Sequence, residues 1–246
     1  MAAVPTQARS FYLWMTVAMA CTVFLGFWFT YFGPLSRGAY PEVSPLVHVH
    51  GWSFFVWYGL LITQAGLIRS TRVATHRALG LASTVLAAVM VTVGLIVSTV
   101  RVEMASGPDG DPFWKLMGLP IFSIWLLFTV FYAGAIYWRR RPADHKRLMI
   151  LASAAALSAA TFRIVVQVLG FAPWIAIVGT LAPILFVVAA MMHDYWSMRR
   201  IHRVYVWGAP AMLGLTGGMF LLGMIPGGEV VNQGVASVGR LLRPFY

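Results

Sequence analysis

Residues 141–153, RPADHKRLMILAS, run from a basic turn through His145 directly into an apolar helix. The same pattern occurs twice more, as RVATHRALGLAS at 72–83 around His76 and as RRIHRVYVWGAP at 199–210 around His202. Lys and Arg beside apolar spans are held on the cytoplasmic side of a membrane, so three such turns set the direction of every helix they join. A helix needs roughly 20 apolar residues to cross about 30 Å of hydrocarbon. Seven stretches meet that length, near 11–32, 46–68, 78–100, 116–138, 148–169, 172–195 and 204–225.

Composition agrees with the pattern. Of 246 residues, 60% are hydrophobic and 10% are charged, with a mean hydropathy of +0.78, whereas soluble domains carry about 25% charged residues. The formal charge of +11 is distributed as punctuation between apolar segments and not along one soluble face, which argues against nucleic acid as a partner. The single cysteine, Cys21, excludes an intramolecular disulfide and a CxxC motif. Arg9 precedes a long apolar stretch without an A-x-A cleavage site, so that stretch reads as a retained first helix.

Charge counting gives an orientation. The segments 69–77, 139–147 and 199–203, together with Arg9, hold twelve Lys and Arg; the opposite side holds five, Arg37, Arg101, Lys115, Arg240 and Arg243. Five of the seven acidic residues lie on that opposite side. The sequence thus predicts an all-α bundle of seven transmembrane helices over 1–225, N-terminus cytoplasmic and C-terminus outside. Helices 2–7 form three hairpins, and the chain sits in the inner membrane of a bacterium. Residues 226–246 read as a short interfacial helix on the outer surface, since Val230, Val231, Val235, Val238, Leu241 and Leu242 recur at near-helical spacing in a segment too short to span.

Other features suggest local roles. Thr75 and Asp144, each one residue before its histidine, suit helix N-caps. Trp14, Tyr31, Trp114, Trp138, Trp174 and Trp196 fall at span ends and read as an aromatic belt. Small residues in 152–161 and at Gly214, Gly217 and Gly218 predict close helix packing. Pro120, Pro183 and Pro210 lie within spans and predict kinks whose freed carbonyls need another donor.

Two polar clusters are candidate sites. On the cytoplasmic face, His76, His145, His193, Asp194 and His202 either anchor helix starts to anionic headgroups or converge as ligands for a metal or haem. On the outer side, Arg163 is the one ionisable residue deep in a predicted span, and such a residue needs an internal reason. Gln167 shares its helix face. His48 and His50 lie at similar depth about 200° apart on helix 2, with Trp52 on the side of His48. Arg163, Gln167 and one histidine either meet headgroups at the interface or bind a quinone carbonyl, a haem propionate or a lipid headgroup, which a guanidinium fork fits. Phosphate loops, Ser-His-Asp order and EF-hand patterns are missing from the sequence.

The segments HVHGWSFFVWYGLLITQ (48–64), THRALG (75–80), DHKRLMILASAAALSAATFR (144–163) and HDYWSMRRIHRVYVWG (193–208) together resemble a family of bacterial polytopic membrane proteins of unknown function, over roughly residues 45–210. The carriers include His48, His50, Gly51, Gln64, His76, Arg77, Gly80, His145, Lys146, Arg147, Arg163, His193, Asp194 and His202. That resemblance implies a fold and no activity. A fainter similarity, a His-Arg pair opening a helix, links the chain to cytochrome b561 and ferric-reductase-like membrane domains and implies a b-type haem. The chain departs from that pattern in having no clear mid-membrane histidine pair. A retinal protein is excluded, since neither Lys115 nor Lys146 lies in the seventh helix. The functional expectation is a small redox or lipophilic ligand, a quinone or b-type haem, bound through His48, His50, Trp52, Arg163 and Gln167. The alternatives are an accessory subunit of a larger membrane complex and a small-molecule transporter.

Overall fold

The computed structural model describes residues 6–107, 109–225 and 228–246, and among them every regular element is helical. The elements are α1 (Thr6–Phe27), a π-helical turn (Trp28–Phe32), α2 (Gly33–Ser36), α3 (Pro45–Arg69), α4 (Val73–Met104) and α5 (Pro112–Tyr137). They continue with α6 (Pro142–Leu169), α7 (Pro173–Leu181), α8 (Ile184–Met198), α9 (Arg203–Met224), α10 (Gly228–Leu242) and a 3-10 turn at Arg243–Phe245. Seven segments are long and apolar enough to cross a membrane: Ser10–Ser36, Pro45–Arg69, Val73–Met104, Phe113–Tyr137, Pro142–Leu169, Pro173–Met198 and Arg203–Met224. This is a multi-pass all-α membrane protein. The junction expected between spans and tail, at 226–227, lies outside the described residues.

The chain divides within α4 into two compact units, one ending at Val93 and the other beginning at Gly94. In the first, α1 packs along α3. Buried Met15, Met19, Val23, Phe27 and Tyr31 recur every four residues, and Phe54, Trp57, Tyr58 and Leu61 follow the i, i+3, i+4, i+7 rule of a single helix face. The π turn has a local cause. Pro34 has no N–H to offer the carbonyl of Thr30, and the ladder slips so that Gly33 N–H donates to the Trp28 carbonyl. Only glycine suits this slip, because a Cβ at position 33 would lie 2.8 Å from the Trp28 oxygen.

The second unit is organised around α6, which packs against α5, α7, α8 and α9. Its run of buried Ala152, Ser153, Ala154, Ala155, Ala156, Ser158 and Ala160 lets neighbouring backbones approach closely where lipid supplies no hydrophobic drive. Gly179 of α7 does the same, since a Cβ there would sit 2.8 Å from Phe162 Cα. In α9 the packing face is Gly208, Met212, Thr216 and Phe220. The expectation for Gly214, Gly217 and Gly218 is corrected, because each faces open space. They sit off the buried four-residue stripe.

Of the three internal prolines, only Pro183 interrupts its span, between α7 and α8; α5 and α9 run on through Pro120 and Pro210. Pro183 cannot donate to the carbonyl four residues earlier, that of Gly179. Thr161 of α6 donates its hydroxyl to that oxygen at 2.7 Å. The partner comes from the neighbouring helix, as an environment without water requires.

The tail forms α10, packed on α5 and α9. Val235 and Ala236 are buried, and a Cβ on Gly239 would lie 2.3 Å from the Thr99 carbonyl. Arg243 pairs with Glu103 at 3.2 Å, and Arg101 sits over the Tyr246 ring. The opposite face of α10, with Val230, Val231, Val238 and Leu241, is exposed.

Candidate functional site

In the first unit the site begins with a helix start. Ser44 caps α3 by accepting from Leu46 N–H at 3.3 Å, and Pro45 occupies the first helical position. His48 follows one turn in. Its Nδ1 is 2.7 Å from the Tyr31 hydroxyl, carried on the π turn. The Tyr40 ring lies 5.0 Å from Tyr31 and 5.8 Å from His48, and Phe32 packs edge-on against Trp52 and Phe55. His50 faces another way, its ring 5.1 Å from Phe54. Tyr31 is buried, so its reading as a belt residue is corrected: its hydroxyl orients His48. Trp14, Trp138, Trp174 and Trp196 are exposed near their span ends, and Trp114 is half-buried.

Arg163 and Gln167 belong to the second unit. The Arg163 guanidinium folds back along α6 and donates through Nη1 to the Ala159 carbonyl at 2.7 Å, while Gln167 is exposed. A half-buried guanidinium thus finds an acceptor within its own helix.

The three repeated histidines do three different jobs. Gln64 of α3, with its amide nitrogen turned to the ring, donates to His76 Nδ1 at 2.6 Å and to the His76 carbonyl at 3.2 Å. Its oxygen accepts from Gly80 N–H at 3.1 Å. His145 uses Nδ1–H to donate to the Ala135 carbonyl of α5 at 2.8 Å. His202 caps α9, its Nδ1 accepting from Val204 N–H at 3.3 Å. The first two clamp adjacent helices together across a tight turn. The expected caps are corrected: α4 starts at Val73 and α6 at Pro142, so Thr75 and Asp144 lie inside their first turns. Pro at the start of α6 marks the true boundary.

The strongest electrostatic feature was hidden in a basic run. The sequence places Arg147 in a loop, but α6 begins at Pro142, and the guanidinium is buried, 2% exposed, against Asp194 of α8 at 1%. The contact is bidentate, Nε to Oδ2 at 2.7 Å and Nη2 to Oδ1 at 2.6 Å, with Nη1 on the Ala143 carbonyl and Met198 Sδ 3.8 Å from Nη2. Arg163 is therefore not the only ionisable residue inside a span. Nearby, Asp144 accepts from Arg203 at 3.4 Å and faces His202 Nε2 at 3.7 Å. Burial first, and then the Arg147 charge, push the His202 pKa below its usual range against the opposing pull of Asp144. A neutral ring also fits the cap, because Nδ1 must keep its lone pair to accept from Val204.

Among the described residues, no three His, Cys, Asp or Glu side chains gather in an arrangement suited to a metal ion. His145, His193, Asp194 and His202 lie in the second unit and His76 in the first. Comparison with family models, curated protein sequences and solved structures finds no match to this chain.

Proposed function

We propose that the protein is a multi-pass protein of a bacterial inner membrane that binds a small redox or lipophilic ring at the Tyr31–His48 end of its first unit. The observation that supports this reading is the 2.7 Å bond between Tyr31 Oη and His48 Nδ1. It fixes the imidazole plane and leaves Nε2 as the atom that addresses a ligand. With Tyr31 as donor, Nε2 carries the proton and donates to a quinone carbonyl; with the bond reversed, Nε2 keeps a lone pair for a haem iron. A quinone is the preferred ligand, because His48 is held by Tyr31 while His50 is turned onto Phe54 and does not share its direction. Tyr40 and Trp52 supply aromatic faces for a flat ring. The basic turns support the orientation with the N-terminus inside.

Absorption spectroscopy and organic extraction of the purified full chain test the reading. A quinone recovered in near-stoichiometric amount, and lost with His48→Ala, is the expected result. No extractable quinone, no Soret band and no metal by elemental analysis would sink it. A stoichiometric large partner recovered in its place would give the accessory-subunit reading.

A further inference from the structure

We infer that the end of α8 binds an anionic phospholipid, with an acyl chain along an apolar groove and the phosphate on Arg199 and Arg200. The groove encloses about 350 Å³ and is lined by Val188, Met191, Met192, Tyr195, Trp196 and Ile201. None of these carries a charge. At this position on a membrane helix the solvent is hydrocarbon, and an acyl chain meets such a lining without desolvating a polar group.

The head of the groove supplies the complementary charge. α8 ends at Met198, and Arg199 and Arg200 follow, both exposed. The two acids at this end already have partners, Asp194 with Arg147 and Asp144 with Arg203. Neither the Arg199 nor the Arg200 guanidinium has a hydrogen bond or ion pair among the described residues. Two positive charges therefore stand unmatched where lipid phosphates lie, and exposed Tyr195 and Trp196 mark headgroup depth.

The backbone adds an independent argument. Arg199 closes α8 in the left-handed conformation, φ 54° and ψ 22°, its N–H on the Tyr195 carbonyl at 2.8 Å. Glycine adopts this conformation freely and is the usual residue there, whereas an L side chain is strained in it. The arginine that accepts this strain lies between Trp196 and Ile201, two residues that line the groove. This site shares no residue with the ring site at His48, and either reading can fail without the other.

Native mass spectrometry of the detergent-purified full chain tests it, with dioleoyl phosphatidylglycerol and dioleoyl phosphatidylcholine as probes of identical acyl chains. The wild type is expected to retain the first lipid about fivefold or more over the second. The variant Arg199→Gly/Arg200→Gln should lose that preference while its melting temperature holds or rises, because glycine relieves the left-handed residue. Arg199→Lys/Arg200→Lys should keep the preference, and Val188→Trp should lower retention of both lipids by filling the groove. Equal retention of the two lipids by the wild type overturns the proposal. So does a preference that survives loss of both arginines, unchanged retention in Val188→Trp, or an equal loss in Arg139→Gln/Arg140→Gln, which would mean diffuse charge and no site.

Discussion

The two units solve the problem of a buried polar side chain in opposite ways. In the second, Arg147 and Asp194 are both charged, both buried, and locked fork to fork, with a third guanidinium nitrogen on a backbone carbonyl. In the first, His48 is half-buried and makes one hydrogen bond, to the Tyr31 hydroxyl. A buried charge is tolerated only when nearly all its bonding capacity is met. An imidazole at a helix end carries no such penalty and can hold one nitrogen fixed while the other addresses a ligand. Saturation marks the Arg147–Asp194 pair as architecture, whereas the one-sided bond leaves His48 Nε2 for the ligand role proposed above.

The contrast is most open to attack at the ion pair. Asp194→Ala should destabilise the protein by about 3–5 kcal/mol by leaving the Arg147 charge buried alone, read as thermal unfolding in detergent. The double variant Arg147→Met/Asp194→Leu should recover most of that loss; failure to recover would mean that the pair does more than hold helices.

Next in size is Gly179→Ala, which drives a methyl to within 2.8 Å of Phe162 Cα. It should cost about 1–3 kcal/mol as α6 and α7 are forced apart, and an unchanged melting temperature would contradict the tight α6 contact.

Tyr31→Phe should cost only about 0.5–1.5 kcal/mol of stability while markedly reducing the recovery of the proposed quinone. Loss of stability with ligand intact would move His48 into the same class as Arg147.

The smallest effect is in the pH profile. Because the His202 pKa is lowered in the folded protein, the unfolded chain takes up this proton first as pH falls. The stability His202 contributes is complete above its ordinary value of 6.5 and declines below it, until the folded pKa is passed. His202→Asn retains a capping side chain without the titration, so its stability should fall less steeply between pH 7 and 5. Parallel profiles for the two proteins would refute a neutral capping ring.

The seven spans are legible in the sequence because apolar length is a requirement of the bilayer itself, and each observed segment overlaps its expected range. The break at Pro183 is legible too, since a missing N–H is a property of the residue. Arg147 is not. A basic run beside a span reads as an orientation signal, and only the contact with Asp194, 47 positions away, shows that one of its members points inward. Thr75 and Asp144 mislead as caps for a related reason, since polar residues can sit in a first turn as readily as before it. The histidine repeat is visible in sequence, but the roles of His76 and His145 depend on Gln64 and Ala135, whose approach no spacing rule supplies. Tyr31 is seen among aromatics at a span end, yet its orientation depends on a π turn forced by Pro34.

The bond from Thr161 to the Gly179 carbonyl also bears on how the chain is made. The sixth span is built of two half-helices, and the Gly179 oxygen that Pro183 cannot satisfy is met by a hydroxyl of the span synthesised just before it. The order of synthesis therefore matters, because the donor is present before the acceptor needs it. In a translocon insertion assay, residues 142–198 should integrate more efficiently than residues 173–198 alone, and Thr161→Val should narrow that difference.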